Sequence, residues 1–311
     1  MPQPPLIPVC FWQLGVIVVF LLPTIWGLAA EPDAEEKAIA VRLIVSDHKI
    51  LRGDWVGYKL IITNHLESTV QLCDIKNPAA REIKQFVECR KPGGEWKEVQ
   101  ENFYTKQGGL PRAILIDGKQ DRWFYEQIFL DKEREFVFAD QGEYEVRIRL
   151  KCLLGEFVTD PVTISVEQRG EKELARLHKG RHYMEFFLDP QYKGNANVLT
   201  QDLEAALSGG SVKRSLELLD EFNTFQETGR LGGKELGLAA AHARLTKDLD
   251  DVRHHQLSKR FLRLARERRN WPELALLLDD PRLESGMRAD YAEDLKIATR
   301  AKIPPQGSEN E

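Results

Sequence analysis

No charged side chain occurs in the first thirty residues of this 311-residue chain, and the whole chain has only four cysteines and three methionines. A basic excess is missing as well. Lys and Arg number 44 against 49 Asp and Glu, a formal charge of −5 that excludes a dedicated nucleic-acid binder with one strongly basic face. The sequence contains no G-x-S-x-G, no G-x-x-x-x-G-K-[ST], no G-x-G-x-x-G and no H-E-x-x-H. Those absences remove the nucleophile elbow, the two glycine-rich phosphate cradles and the zinc-peptidase helix. No catalytic residue, cofactor site or metal site is therefore expected, and the chain reads as a non-enzyme.

The charge-free opening has its own order. An apolar run from Leu14 to Leu22 is followed by Pro23, then by small residues Gly27, Ala29 and Ala30, then by acids from Glu31. That is the layout of a secretory signal with a small-residue cleavage site. Residues 9–30 also have the ~20-residue length that spans a bilayer, so an uncleaved N-terminal anchor is the other reading. Cys10 suits a lipidated cysteine poorly, with Pro8 and Val9 before it. Both readings make residues 1–30 a targeting segment and the remainder exported: periplasmic, secreted or membrane-anchored through residues 9–30. Cys73, Cys89 and Cys152 then face an oxidising compartment. A Cys73–Cys89 disulfide is the candidate pair, because both lie in neighbouring strand-like segments; three buried thiols are the alternative.

Residues 38–168 alternate as strands do. In "IAVRLIVS", Ile39, Val41, Leu43 and Val45 share one side, and "VGYKLIITN", "IKQFVECR", "DRWFYEQIFL", "YEVRIRLKC" and "DPVTISVEQ" follow. Turn signals separate them, among them Pro92-Gly93-Gly94, Asp117-Gly118 and Gln141-Gly142. Short strands punctuated in this way predict an all-β sandwich. After Glu167 the period changes. Residues 170–300 predict a separate all-α domain, with helices over "EKELARLHKGRHYMEFFL", "KELGLAAAHARLTKDL", "QLSKRFLRLARER" and "WPELALLLD", and Pro272 in the first turn of the last. Leu199, Leu203 and Leu207 form another helical stripe, and Ser208–Ser211 ("SGGS") is expected to cap the helix that carries Val212, Leu216, Leu219 and Phe222. Residues 301–311 predict a disordered tail.

Asp140-x-Gly142-x-Tyr144, placed just before the alternating run Val146, Ile148, Leu150, resembles the D-x-[AG]-x-Y motif of immunoglobulin-like domains. The resemblance extends over residues 38–168 and implies a tyrosine corner. The Tyr144 hydroxyl would bond nearby backbone, Gly142 would permit the turn, and Asp140 would bond its own backbone just downstream. Val146 stands where antibody domains carry their second cysteine, so the resemblance implies no inter-sheet disulfide of that kind.

Other constellations are weaker. Arg52-Gly53-Asp54 is a recognition tripeptide in other proteins and reads here as a turn. His178, His182 and Glu185 have helical spacing for a zinc face, which Gly180 and the flanking Lys179 and Arg181 oppose. His254 and His255 are adjacent and diverge. Trp123 and Tyr125 share a strand face and, with Trp96 or Tyr104, suggest a platform for a sugar; packing under the helices is the competing reading. Lys259, Arg260, Arg263, Arg266 and Arg269 line a basic helix face. The expectation is an exported, non-catalytic interaction or scaffolding protein whose partner is an envelope or extracellular protein or polysaccharide. The alternatives are a carbohydrate-binding accessory protein, a peptidase inhibitor presenting the loop Lys91–Trp96, or an envelope hydrolase.

Overall fold

The computed structural model describes residues 38–73, 82–104, 114–188, 203 and 207–301, with the side chains of 103–104, 181–188 and 300–301 excepted. The described residues all fall in one unit. The proposed leader, the stripe position Leu199 and the expected tail lie outside the described residues. Among the described residues, no helix is long and apolar enough to cross a membrane.

Two sheets face each other across one apolar core. The first has the order β1 (Ile39–Val45), β3 (Val56–Asn64), β8 (Asp121–Ile128). The second runs β2 (Lys49–Leu51), β11 (Val162–Glu167), β9 (Gly142–Cys152), β5 (Ile83–Arg90), β6 (Lys97–Tyr104), and β10 (Gly155–Val158) pairs with the far half of β9. Short strands β4 (Val70–Gln71) and β7 (Leu115–Ile116) pair beside them. Alternation along β9 sends Tyr144, Val146, Ile148 and Leu150 into the core and leaves Glu143, Arg147, Arg149 and Lys151 on the other face. The interior also holds polar groups that bond to one another. The Tyr58 hydroxyl donates to Gln85 Oε1 at 3.0 Å and accepts from Asn102 at 2.9 Å, while the Asn64 amide reaches the carbonyls of Ser68, Ile116 and Asp117.

Six helices follow among the described residues: α1 (Glu171–Leu188), α2 (Gly210–Thr228), α3 (Leu238–Thr246), α4 (Asp251–Glu267), α5 (Trp271–Leu278) and α6 (Ser285–Ala301). Asp250 caps α4 by accepting from the amides of Val252 and Arg253, and Asn270 caps α5 ahead of Pro272. Helix α3 begins later than its apolar period predicts. Residues Arg230–Leu231 (β12) and Lys234–Glu235 (β13) form a hairpin across Gly232 and Gly233, so Lys234 is in a strand.

The helices do not form the separate domain that the change of period predicts; they are packed onto the sheets in two places. At one end of the β region, Trp55, Phe129, Leu130 and Phe136 share a core with Leu174, Leu177, Leu207, Val212 and Leu216. In its middle, Asp54 and Arg169 form an ion pair with no exposed surface on either side chain. The same Asp54 carboxylate accepts from the Ser211 amide at 2.8 Å and from the Leu51 amide at 3.2 Å. Asp54 thus caps α2, whose Ncap residue Gly209 makes no side-chain cap bond, and the serines of the "SGGS" turn do not serve as caps. Gly210, at φ 93°, sits against Asp54 and Arg169 where a Cβ would collide with both. The tripeptide Arg52-Gly53-Asp54 is consequently part of the junction and offers no carboxylate to a partner. Second, α4 lies on the outer face of the three-stranded sheet, which explains why β3 is buried on both faces. Lys59, in an outward position, is only 7% exposed and pairs with Asp251 of α4 at 2.8 Å. Arg253 extends the contact to Asp47 at 2.7 Å, and Arg122 of β8 meets Glu284 at 3.2 Å.

Candidate functional site

Residues singled out in the sequence are dispersed by the fold. Trp123 and Tyr125 do share the outer face of β8, but that face is the one α4 covers. The Lys59 ammonium lies 4.0 Å from the Trp123 ring centroid, and the Tyr125 ring stacks on His255 of α4 at 4.0 Å with 17° between planes. Trp96 lies just before β6, beside the other sheet, between the guanidinium groups of Arg90 and Arg147 at 4.3 and 4.2 Å. The three rings therefore form no row. Tyr104 has no described side chain, and His182 and Glu185 lie outside the described side chains. His178 packs against Phe136 at 4.7 Å. The basic helix face pairs internally in part, Arg263 with Glu267 at 3.0 Å and Arg266 with Asp294 at 3.3 Å.

Around Tyr144, the hydroxyl lies 3.3 Å from both the amide and the carbonyl of Asp140, and the ring meets Phe138 edge-on at 5.5 Å. Gly142 has φ 134°, a conformation that side chains disfavour. The Asp140 carboxylate does not turn back on its own backbone as expected; it pairs with Lys91 at 3.1 Å, which also ties down the start of the Lys91–Trp96 loop.

The Cys73–Cys89 bridge is not formed, and all three described cysteines are free. Cys89 is opposite Val146 near the start of β9, whereas Cys73 follows Leu72, whose carbonyl accepts from Leu153 just beyond the end of β9. At ~3.3 Å per residue, the stretch from Val146 to Leu153 puts about 20 Å between them, far beyond disulfide reach. Burial pushes the Cys89 thiol up to about 12, so it is an inert apolar filler and not a nucleophile.

Two features emerge that no motif announced. The first is an apolar end. Leu66, Leu115, Leu153 and Leu154 are 40% to 50% exposed. Backbone bonds join their segments: Leu153 N to Leu72 O at 2.8 Å, Leu72 N to Ile114 O at 2.8 Å, and Leu66 O to Lys119 N at 2.9 Å. The chain enters β1 at the same end, where Ala38 O accepts from His65 N at 3.0 Å. This end is opposite the Asp54 junction along β3 and β9.

The second is a buried polar cluster inside the helical region. His242 on α3, His254 on α4 and Asp280 after α5 place one ligand atom each within 4.8 Å of one another. His254 Nε2 lies 2.8 Å from Asp280 Oδ2, and His242 Nε2 lies 3.8 Å from the same oxygen. Ser258 Oγ is 2.7 Å from His242 Nε2 and donates to the His254 carbonyl, one turn back, at 2.7 Å. Burial is the main cause holding both imidazoles below their ordinary range, His242 at about 4, so both are neutral at neutral pH. Asp280 is held low against its burial by the Arg282 amide and His254. Serine, histidine and aspartate together resemble a hydrolytic set in composition only. Ser258 is 1% exposed, and a nucleophile has to reach its substrate. The signal that would have found this cluster is weak: His242, His254 and Asp280 sit on three elements, and only tertiary packing brings them together.

No family model matches the chain, and no curated protein matches it. Among solved structures, it is similar to Spo0M, a sporulation control protein from Bacillus subtilis, at 13% identity and TM-score 0.27, over 47% of this chain and 56% of that one. It is also similar to the CARDB domain of a Pyrococcus furiosus protein at 9% identity and TM-score 0.26, over 42% of this chain and 94% of that one. The C-terminal domain of wzt is a further neighbour at 7% identity and TM-score 0.28, over 43% of this chain and 75% of that one. At these TM-scores the likenesses carry no functional argument.

Proposed function

We propose that the chain is an exported, non-catalytic interaction protein: an immunoglobulin-like sandwich, clamped at one end by helices, that presents its other end to a protein partner in the envelope or extracellular space. Support for the immunoglobulin-like reading comes from strand order. The order β1-β3-β8 against β2-β11-β9-β5-β6 follows A-B-E against A′-G-F-C-C′, and the Tyr144–Asp140 bond occupies the corner before strand F. Support for export is the charge-free segment Met1–Ala30.

The observation that carries the function is the apolar end. Single exposed leucines are ordinary on a protein surface, but neighbouring ones on connected loops mark an interaction surface. The most reactive-looking cluster, by contrast, keeps Ser258 and both histidines buried in the helical region, which favours binding over catalysis. The experiment compares residues 31–311 with a Leu153→Glu/Leu154→Glu variant in a pull-down from an envelope extract, with circular dichroism establishing that both fold. A discrete protein recovered by the first and lost with the second is expected. Recovery of polysaccharide alone, or of the same protein by both, would overturn the proposal.

A further inference from the structure

The buried cluster has a second chemistry open to it, independent of the proposed function. We infer that His242, His254 and Asp280 form a site for a divalent transition-metal ion, zinc fitting best, that staples α3, α4 and the α5–α6 connection together. Both Nε2 atoms converge on one carboxylate oxygen, at 2.8 and 3.8 Å. A tetrahedral ion with bonds of ~2.0–2.1 Å holds its ligand atoms about 3.3 Å apart. That value falls between the two distances, and the three ligand atoms all lie within 4.8 Å of one another, so the ion draws them together without moving a helix.

The donor set chooses the ion. Two imidazoles and one carboxylate suit zinc and its neighbours, whereas calcium and magnesium take oxygen ligands. Groups behind the ligands are already oriented. Asp280 Oδ1 accepts from the Arg282 amide at 2.8 Å, which leaves Oδ2 for the ion, and His254 Nδ1 lies 3.4 Å from Ser258 Oγ. Without the ion, His242 Nε2–H donates to Ser258 and His254 Nε2–H donates to Asp280. Binding moves each imidazole proton to Nδ1 and turns both Nε2 lone pairs toward the metal, with no change in total charge on the protein. The fourth position falls to water. The opposing charge is Arg282, and its guanidinium is already engaged by the carbonyls of Thr246 and Leu249 and by the Asp251 carboxylate. Asp280, at 17% side-chain exposure against 6% and 2% for the histidines, marks the way in.

The test is a calorimetric titration of the chelator-treated full chain with zinc alone, paired with thermal unfolding, and a cobalt(II) titration to read the coordination geometry. One zinc per chain, a rise in Tm with zinc, and intense visible cobalt bands of a tetrahedral site are expected. Asp280→Asn keeps the amide bond from Arg282 and the fold while weakening zinc at least about tenfold. Absence of stoichiometric zinc binding to the unmutated protein overturns the inference, because the hydrogen-bonded network then accounts for the cluster. Equal affinity in a folded Asp280→Asn protein overturns it as well, since the ion is then elsewhere.

Discussion

The two ends of the β region are made of similar material, loops between strands with glycine at their turns, and they meet opposite environments. At the Gly53 end, Trp55, Phe129 and Phe136 are covered by α1 and α2, and the buried pair Asp54–Arg169 joins the loops to the first turn of α2. At the Leu153 end, leucines stay exposed, and backbone bonds together with the Asn64 amide tie neighbouring loops only to one another. The difference shows what turns a loop end into a junction. Apolar residues exist at both, but a carboxylate that simultaneously neutralises an arginine and caps a helix fixes one relative placement of sheet and helix. Among the described residues, the apolar end has no such group and no helix on it.

The sharpest way to break that contrast is Asp54→Ala. It leaves Arg169 buried without its counter-charge and α2 without its cap, and a loss of about 3–5 kcal/mol is expected in urea unfolding. A loss confined to a few tenths of a kcal/mol would show that the junction is held by its apolar residues alone.

Acid acts on the helical side of the same contrast. Burial lowers His242 from 6.5 to about 4 and His255, stacked under Tyr125, from 6.5 to about 3. The unfolded chain then binds protons that the folded chain refuses, so this stability is complete above pH 6.5 and falls as pH drops toward those values. Each group costs about 1.4 kcal/mol per pH unit within its window. Denaturation midpoints between about pH 7 and pH 4 should decline, and His255→Gln should decline less steeply. Parallel pH profiles for the two proteins would remove His255 from the account.

Tyr144→Phe, near the junction end, should cost about 0.5–1.5 kcal/mol through the lost bond to the Asp140 backbone. Leu154→Ser, at the free end, should stay within about 0.5 kcal/mol, the range for an exposed side chain. If Leu154→Ser proved the more damaging of the two, the free end would have to carry folding energy and not merely surface. The smallest expected effect is none: reductant should leave the unfolding midpoint unchanged, and denatured, unreduced protein should label at Cys73 and Cys89.

Much of the β region could be read in advance. Alternation along β9 identifies Val146, Ile148 and Leu150 as interior because a strand has a strict period of two, whichever sheet it joins. Helix α5 was equally legible from Pro272, since the preference for proline in the first turn is local. The misreadings share a cause. The "SGGS" turn looked like a self-sufficient cap, yet Asp54, distant in sequence, supplies it. Lys234 looked helical until the Gly232–Gly233 hairpin took it. The cysteine pair looked close because neighbouring strands were assumed to place neighbouring ends together, while register along β5 and β9 separates them.

The sequence by itself determined where the chain changes from a two-residue to a helical period, which faces are apolar, and that a charge-free segment precedes them. Those properties follow from local sterics and from the order of polar and apolar side chains. Only the tertiary structure decided that Asp54 belongs to a helix it does not precede, that Trp123 and Tyr125 lie under α4, and that His242, His254 and Asp280 meet. Contacts between residues far apart in the chain depend on how whole elements pack, and no local pattern encodes that.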